Sequence, residues 1–262
     1  MKVAILSLSL LIASSFGGFA QASFQKRIFK SSNGDTLRYQ VLFPVGYESG
    51  KSYPLVIFLH GAGERSSDNM LQLKHGSGMF LNPANQEKYP AIILFPQCPT
   101  SETWIGKDLP QRDDKGVVLW DQYQNPAIAP SLAKVKELID AYSVNEKVDL
   151  KRIYILGISM GGMGTFDLAA RYPDTFAAAV PICGGIYPPR LKEAAKKVKF
   201  RIFHGDDDPV VNVDGSRKAY AALRGYGAKV YYTEFPGATH NSWSPAFNTP
   251  DFLSWIFKQK KK

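Results

Sequence analysis

Four continuous runs of apolar residues constrain the fold more than any other feature of this sequence. They occupy residues 55–59, 91–95, 153–156 and 177–182, and turn-forming residues bound them. A strand with one solvent-facing side alternates apolar and polar residues, whereas a run that is apolar throughout is typical of a strand covered on both faces. The four runs therefore predict the centre of a parallel β-sheet.

Strand-like segments before and after these runs extend the predicted sheet to eight strands. Residues 24–29 and 37–43 are separated by turn residues and predict a hairpin, while residues 201–203 and 229–235 follow the central runs. Amphipathic helical patterns lie between the later strands, with Ser131 and Asp214 as predicted N-caps, although only about 17 residues join the sixth strand to the seventh. We expect one α/β domain: a mostly parallel eight-stranded sheet with helices on both faces and no large cap domain.

The segment Gly157-Ile158-Ser159-Met160-Gly161 joins one apolar run to a helical pattern over residues 163–172. A serine between two glycines at a strand-to-helix turn is typical of a nucleophile elbow, which holds the hydroxyl clear of a strained backbone. Side chains at the flanking positions would collide with the neighbouring strand and helix, which explains the glycines. We predict that Ser159 is a nucleophile, if partners for it exist elsewhere in the chain.

A serine hydroxyl needs a base to take its proton and a third group to orient that base. His240 follows the last strand, and in the α/β-hydrolase order the histidine comes after both the serine and the acid. No other histidine of the four has this position. His240 is therefore the predicted base, whereas His60 and His204, which each end a strand, are expected to be structural.

The acid should lie on the loop after residues 201–203, where Asp206, Asp207 and Asp208 are adjacent. Asp208 is the predicted acid and Asp207 the next choice, while the others can cap turns or face solvent. Three adjacent carboxylates also suggest a metal site, but adjacent side chains point apart and no second ligand set is visible. We expect neither a metal nor an organic cofactor.

Two backbone N–H groups are predicted to stabilise the oxyanion that forms when a serine attacks a carbonyl. The first belongs to Met160, directly after the serine at a helix N-terminus. The second is assigned to Ala62 in the loop His60-Gly61-Ala62-Gly63, where glycines let the backbone approach a substrate closely. A glycine-rich turn without a catalytic role is the alternative for this loop.

A long segment, residues 98–130, carries aromatic residues and leaves the end of a parallel strand, the edge where α/β proteins bind ligands. Trp104, Trp120 and Tyr123 from this segment, together with Trp243, are predicted to contact substrate. Ordinary packing of the loop is the alternative.

The first 22 residues predict a signal peptide. Lys2 forms a short positive region, residues 3–12 are mostly apolar, and Ala20-Gln21-Ala22 is a small-x-small cleavage site. An uncleaved membrane anchor is the alternative. No later apolar run approaches the roughly 18–20 residues that a spanning helix needs, so we expect residues 23–262 to form a catalytic domain that is secreted or periplasmic and has no integral membrane segment.

The formal net charge is +9, part of it in the last residues, Lys258, Lys260, Lys261 and Lys262. This charge could attract an anionic polymer or surface, although a solvated tail on a final helix explains it too. No segment resembles a nucleic-acid-binding module, so no nucleic acid is expected as a partner.

Four motifs together resemble those of a known family. They are His60-Gly61-Ala62-Gly63-Glu64-Arg65, Phe95-Pro96-Gln97-Cys98-Pro99, Gly157-Ile158-Ser159-Met160-Gly161-Gly162 and His240-Asn241-Ser242-Trp243. With these motifs the chain is similar to the exported α/β-hydrolases grouped as predicted peptidases or phospholipase/carboxylesterase-like proteins, which are related to the catalytic domains of dienelactone hydrolase, feruloyl esterase and prolyl oligopeptidase.

This resemblance implies a sheet whose second strand is antiparallel, and a strand order that keeps Cys98 and Cys183 apart as separate thiols. It also implies that Ser159, Asp208 and His240 occupy the triad positions. One departure is visible at Ser66, where such proteins often carry a further glycine, and it bears on the course of the oxyanion loop.

The sequence therefore predicts an exported serine esterase that acts through an acyl-enzyme on acyl or feruloyl groups of a polysaccharide, or on small esters. A serine peptidase of the prolyl-oligopeptidase type is the main alternative, since the fold and triad also permit it. A non-catalytic binding protein that kept the fold is a third possibility.

Overall fold

The central sheet has eight strands in the computed structural model, which describes residues 22–106, 111–114, 118–120, 123–124 and 127–262. The strands are β1 (Gln25–Lys30), β2 (Thr36–Leu42), β3 (Tyr53–Leu59), β4 (Ile92–Gln97), β5 (Val148–Ile158), β6 (Ala178–Ile182), β7 (Lys199–Gly205) and β8 (Val230–Phe235). Their order across the sheet is β1-β2-β4-β3-β5-β6-β7-β8. β2 runs antiparallel to both of its neighbours, and every other adjacent pair is parallel. The predicted sheet and its antiparallel second strand are confirmed.

The helices are α1 (Ser77–Leu81), α2 (Pro83–Lys88), α3 (Pro130–Asn145), α4 (Met160–Arg171), α5 (Lys192–Lys197), α6 (Asp214–Gly225), α7 (Trp243–Phe247) and α8 (Phe252–Lys258). The sequence pattern does not predict α1, α2 or α7, because a helix of five or six residues is too short to show a repeat. The predicted N-caps are wrong: Ser131 lies inside α3 and its hydroxyl donates to Glu102, while Asp214 lies in the first turn of α6.

Helices cover both faces of the sheet, as predicted. Alternate residues of β3 separate the two cores: Leu55 and Ile57 face one side, and Val56 and Phe58 face the other. The first core includes buried residues of α3, α4, α5 and α6, and the second includes residues of α1, α7 and α8. Because the central strands are covered on both sides, their sequences are apolar throughout.

The connections at the carboxyl ends of the parallel strands carry the predicted site residues. Ser159 follows β5 directly, Asp208 lies in the loop after β7, and His240 lies in the loop after β8. Cys98 and Cys183 follow β4 and β6, which are separated by two other strands, and both are buried free thiols as predicted.

No large cap domain interrupts the described chain between β6 and β7, since residues 183–198 contain only a 3₁₀ turn and α5. Among the helices that the structure describes, none is long and apolar enough to cross a membrane. Of the predicted signal peptide, residues 1–21 lie outside the described residues.

Candidate active site

Ser159 occupies a sharp turn between β5 and α4 whose geometry demands glycine on both sides. Its φ of +53° is in the left-handed region that non-glycine residues rarely adopt, and its N–H donates to the Ile182 carbonyl at 2.9 Å. A Cβ on Gly161 would lie 2.0 Å from the Leu59 carbonyl oxygen, and one on Gly157 would lie 2.2 Å from the Gly161 carbonyl oxygen. Backbone strain of this kind concentrates at functional sites.

The imidazole of His240 lies between Ser159 and Asp208. Its Nδ1 is 2.7 Å from Asp208 Oδ2, and its Nε2 is 2.9 Å from Ser159 Oγ. An ionised carboxylate only accepts hydrogen bonds, so Nδ1 carries the proton and Nε2 is left to accept one from the serine hydroxyl. The structure thus brings together the three side chains that sequence order singled out.

Asp208 is held as an anion by several donors. Burial on its own would raise the pKa of Asp208. Hydrogen bonds from His204, His240 and the backbone N–H groups of Val211 and Val210 outweigh burial and hold that pKa well below its usual range. The carboxylate is therefore ionised at neutral pH, the form that a histidine base needs as its partner.

His204, which was expected to be structural, also approaches the Asp208 carboxylate. Its ring is fully buried, with Nε2 2.9 Å from the Val211 carbonyl oxygen and 3.3 Å from Asp208 Oδ2. The carbonyl can only accept, so Nε2–H points toward the Asp208 carboxylate as well. The position of His204 four residues before Asp208, at the end of a strand, was the available signal.

The other two aspartates of this loop have different surroundings. Asp206 accepts a hydrogen bond from the Gly237 N–H at 2.6 Å and so ties this loop to the one that carries His240. Asp207 is exposed, and its backbone N–H donates to the Ala238 carbonyl at 3.2 Å. Of the three adjacent carboxylates, only Asp208 contacts His240 among the described hydrogen bonds.

The two predicted oxyanion donors lie on segments that flank Ser159. Met160 begins α4, so its N–H is one of the helix N–H groups without an intrahelical acceptor. Ala62 begins a 3₁₀ turn directly after Gly61, and a Cβ on Gly61 would lie 3.7 Å from the Ser159 Cβ. Both segments are therefore close enough to contribute a donor beside the serine.

Hydrogen bonds fix the position of the loop that carries Ala62. Arg65 Nε donates to the Ala62 carbonyl at 3.0 Å, and the Ser66 N–H donates to the Cys98 carbonyl at 3.1 Å. His60, at the start of the loop, accepts the Cys98 N–H on Nε2 at 2.9 Å and has its Nδ1 2.6 Å from the Gly61 carbonyl. Burial lowers the pKa of His60 to about 4, against a smaller upward effect of the Gly61 contact. A neutral, structural His60 agrees with the prediction.

Comparison with known proteins identifies the family. Residues 43–253 match the model of the family described as Phospholipase/Carboxylesterase. The chain belongs to the Phospholipase/Carboxylesterase family. The predicted family and α/β-hydrolase fold are confirmed, and hydrolysis of carboxylic esters agrees with the relatives that follow.

Two solved structures and one curated protein illustrate the similarity. A thermostable esterase superposes with a TM-score of 0.81 at 34% identity, covering 90% of this chain and 63% of that one. A ferulic acid esterase from Anaeromyces mucronatus gives a TM-score of 0.66 at 18% identity over 93% of this chain and 92% of that one, which shows the fold alone. An endo-1,4-beta-xylanase/feruloyl esterase from Xylanibacter ruminicola is 28% identical over 91% of this chain, which spans 30% of that protein.

Two of the predicted substrate contacts in this member of the Phospholipase/Carboxylesterase family are wrong. Trp104 is 0% exposed, and its Nε1–H donates to the His60 carbonyl at 3.0 Å, so neither face of its ring is open. Trp120 is 6% exposed and packs so tightly that a Cβ on Gly185 would lie 2.5 Å from its ring. These rings fill space beneath the loop because large apolar surfaces are more stable when removed from water.

The other two aromatic residues remain predictions. Tyr123 is half-buried and packs against an apolar cluster that includes Trp120. Trp243 is half-buried and meets the His240 ring edge-to-face, with centroids 5.4 Å apart at 86°. Trp243 is therefore the one of the four placed directly against the His240 ring in the described structure.

One group of side chains in the described structure could present three metal ligands within 4.8 Å of one another: Cys183, Asp208 and His240. A metal there would have to replace the hydrogen bond between His240 and Asp208. Burial raises the pKa of the Cys183 thiol to about 12, which keeps it protonated and a poor ligand. The donor set fits a proton-transfer site better than a metal site.

Proposed function

We propose that this chain is an exported serine esterase that cleaves carboxylic esters through an acyl-enzyme. The observation that carries the proposal is the unbroken hydrogen-bonded succession from Asp208 through His240 to Ser159. Membership of the Phospholipase/Carboxylesterase family supports the same chemistry.

In the first half of the reaction, Ser159 Oγ attacks the ester carbonyl carbon while its proton moves to His240 Nε2. Asp208 stabilises the imidazolium that forms, and the N–H groups of Met160 and Ala62 donate to the oxyanion. The carbonyl re-forms, the bond to the leaving oxygen breaks, and His240 returns the proton to the departing alcohol. The product of this half is an ester of Ser159.

In the second half, His240 takes a proton from water as the water oxygen attacks the acyl carbon. The bond from the acyl carbon to Ser159 Oγ then breaks, and the proton passes from His240 back to the serine. The acid leaves and the starting protonation states are restored. The cycle needs no redox partner and no metal.

The proposed substrates are acetyl or feruloyl groups on a polysaccharide, or smaller esters. The relatives support this class, since they include proteins named as a feruloyl esterase and an acetylxylan esterase, of which this chain spans 30% and 18%. Structures of peptidases also match, but at 16% identity they indicate the fold alone. The export step rests on the predicted signal peptide.

The mechanism is tested by comparing Ser159→Ala with Ser244→Ala, an exposed serine four residues beyond His240. We expect wild-type protein and Ser244→Ala to hydrolyse p-nitrophenyl acetate with a burst equal to the enzyme concentration. A fluorophosphonate probe should add to Ser159 alone, as read by peptide mass spectrometry. Full activity in Ser159→Ala, or labelling at another residue, would show that the mechanism is wrong.

The substrate class is tested with acetylated and feruloylated xylo-oligosaccharides, short aliphatic esters, and an amide matched to the best ester. Turnover of the esters with little turnover of the amide supports an esterase. Faster hydrolysis of the amide would favour the peptidase.

A further inference from the structure

A basic cleft lies at the edge of the sheet opposite Ser159. It forms where β3 begins and where α2 and α8 end, and its volume is about 590 Å³. That volume falls within the roughly 300–1,000 Å³ that ligand pockets usually occupy. β3 runs parallel to β5 from this edge toward Ser159, so the strand length places the cleft about 20 Å from the serine.

All charged side chains that line the cleft are positive: Lys51, Lys88, Arg152 and Lys258. Arg152 is neutralised, since its Nε lies 2.6 Å from an oxygen of Asp149. The three lysines are exposed and form no ion pair within 4.0 Å with any carboxylate of the described chain. The cleft therefore presents three ammonium groups that have no carboxylate within ion-pair distance.

Aromatic rings form the apolar wall of the cleft. Tyr89 and Phe257 stack with centroids 5.0 Å apart, and the Lys88 ammonium lies 5.4 Å from the Tyr89 ring. Lys51 Nζ likewise lies 5.9 Å from the ring of Tyr53. Both Tyr89 and Phe257 are half-buried, so they are recessed walls rather than protruding anchors.

A second cavity, of about 240 Å³, is lined in part by the C-terminal residues. Lysines 196, 197, 261 and 262 line it, with Asp174 as the acidic member. The C-terminal segment joins the two cavities, because the Lys261 N–H donates to the Lys151 carbonyl at 2.9 Å while Lys258 lines the first cleft. The C-terminal segment that carries Lys258 and Lys261 is therefore anchored to the fold beside the cleft and is not a free tail.

We propose that the basic cleft binds an anionic polysaccharide whose sugar carboxylates pair with Lys51, Lys88 and Lys258. This goes beyond the proposed function, because the binding does not depend on Ser159 chemistry. Ammonium groups are compact point charges that suit carboxylates spaced along a chain. Planar sugar faces can pack on the recessed rings.

The observations favour a polysaccharide over other polyanions. Arg152 already pairs through its Nε with Asp149, so the charges of the cleft that no carboxylate contacts are lysine ammonium groups and not the guanidinium forks that suit bidentate phosphate recognition. Recessed rings also give no apolar side chain to insert into a lipid surface. Binding at this distance from Ser159 would hold a polymer near the enzyme and raise the local concentration of its ester groups.

The test is the affinity for polygalacturonate, measured by isothermal titration calorimetry on the full mature chain. The variant is the triple charge reversal Lys51→Glu, Lys88→Glu and Lys258→Glu. The matched control reverses three exposed lysines that do not line the cleft, Lys26, Lys30 and Lys218, so both variants have the same net charge. Circular dichroism checks that both fold, and p-nitrophenyl acetate hydrolysis should equal that of the wild type in both.

We expect the cleft variant to lose at least about tenfold in affinity and the control to lose less than about threefold. Wild-type binding should weaken as sodium chloride rises from about 50 to 500 mM, because the contacts are screened. Equal losses in the two variants, or no binding by the wild type, would overturn the proposal. So would equally tight binding of RNA or of anionic phospholipid vesicles. If the protein bound polygalacturonate but hydrolysed no ester, the proposed function would be contradicted and the proposal for this cleft would be unaffected.

Discussion

Replacement of Asp208 by asparagine tests how the carboxylate controls His240. One oxygen, Oδ1, accepts the N–H groups of Val210 and Val211 at 2.8 and 2.9 Å, and Oδ2 accepts His240 Nδ1–H at 2.7 Å and lies 3.3 Å from His204 Nε2. Asparagine keeps nearly the same shape but has one acceptor and one donor group. Every donor around the carboxylate then competes for a single oxygen.

Neither orientation of the amide satisfies these donors. With its oxygen toward Val210 and Val211, the NH₂ group faces His240 and favours the tautomer that carries its proton on Nε2, which cannot accept a proton from Ser159. With its oxygen toward His240, the NH₂ group meets two backbone N–H groups instead. We expect the first orientation and a loss of about 10⁴ in kcat, which corresponds to about 5.4 kcal/mol in activation free energy.

The assay is p-nitrophenyl acetate hydrolysis at neutral pH, with Asp207→Asn as the control. Asp207 is exposed, and the contact it makes with Ala238 uses the backbone N–H, which asparagine retains. Circular dichroism and thermal unfolding would establish that both variants are folded. If folded Asp208→Asn kept more than about a tenth of wild-type kcat, or if Asp207→Asn lost as much as Asp208→Asn, the assignment would fail.

Three further predictions concern pH, packing and export. The low pKa of His60 makes unfolding easier as pH falls from about 6.5 to 4, because the unfolded histidine binds the proton. Urea unfolding should therefore show that His60→Gln reduces the difference in unfolding free energy between pH 7 and pH 4.5 by about 2–3 kcal/mol; an unchanged difference would contradict this. Gly161→Ala should lower the free energy of unfolding by about 3 kcal/mol or more, because the new methyl group would collide with the Leu59 backbone. Gly225→Ala, which has open space around it, should raise the free energy of unfolding by up to about 1 kcal/mol, and thermal unfolding measures both changes. N-terminal sequencing of the exported protein should find Ser23 as its first residue; retention of the first 22 residues would indicate an anchor.

Local sequence was sufficient to predict the sheet and the position of the serine. Apolar runs with no polar interruption are explained by burial on both faces, which does not depend on what covers them. The glycines around Ser159 are explained by close packing, because an added Cβ at Gly157 or Gly161 would lie about 2 Å from a neighbouring backbone atom. A residue with a side chain would therefore not fit at either position. His240 was predictable because chain order restricted the choice to one of four histidines.

Other features depended on contacts between segments far apart in the chain. Trp104 and Trp120 were predicted to contact substrate, but the end of β3 and the loop after β6 pack against them. Short helices such as α7 were not predicted, because tertiary packing stabilises them and they are too short to show a helical sequence repeat. The basic cleft combines lysines from three separate segments, and composition alone did not separate it from a solvated tail.

By itself the sequence determined which chemical groups are available and the order in which they follow the strands. The tertiary structure alone decided which of three adjacent aspartates meets His240, and that His204 approaches the same carboxylate oxygen. The physical reason is that neighbouring side chains on a loop point in different directions, and only the packed backbone sets those directions. A hydrogen bond is directional and short-ranged, so its partners become definite only when the fold brings remote segments to within about 3 Å.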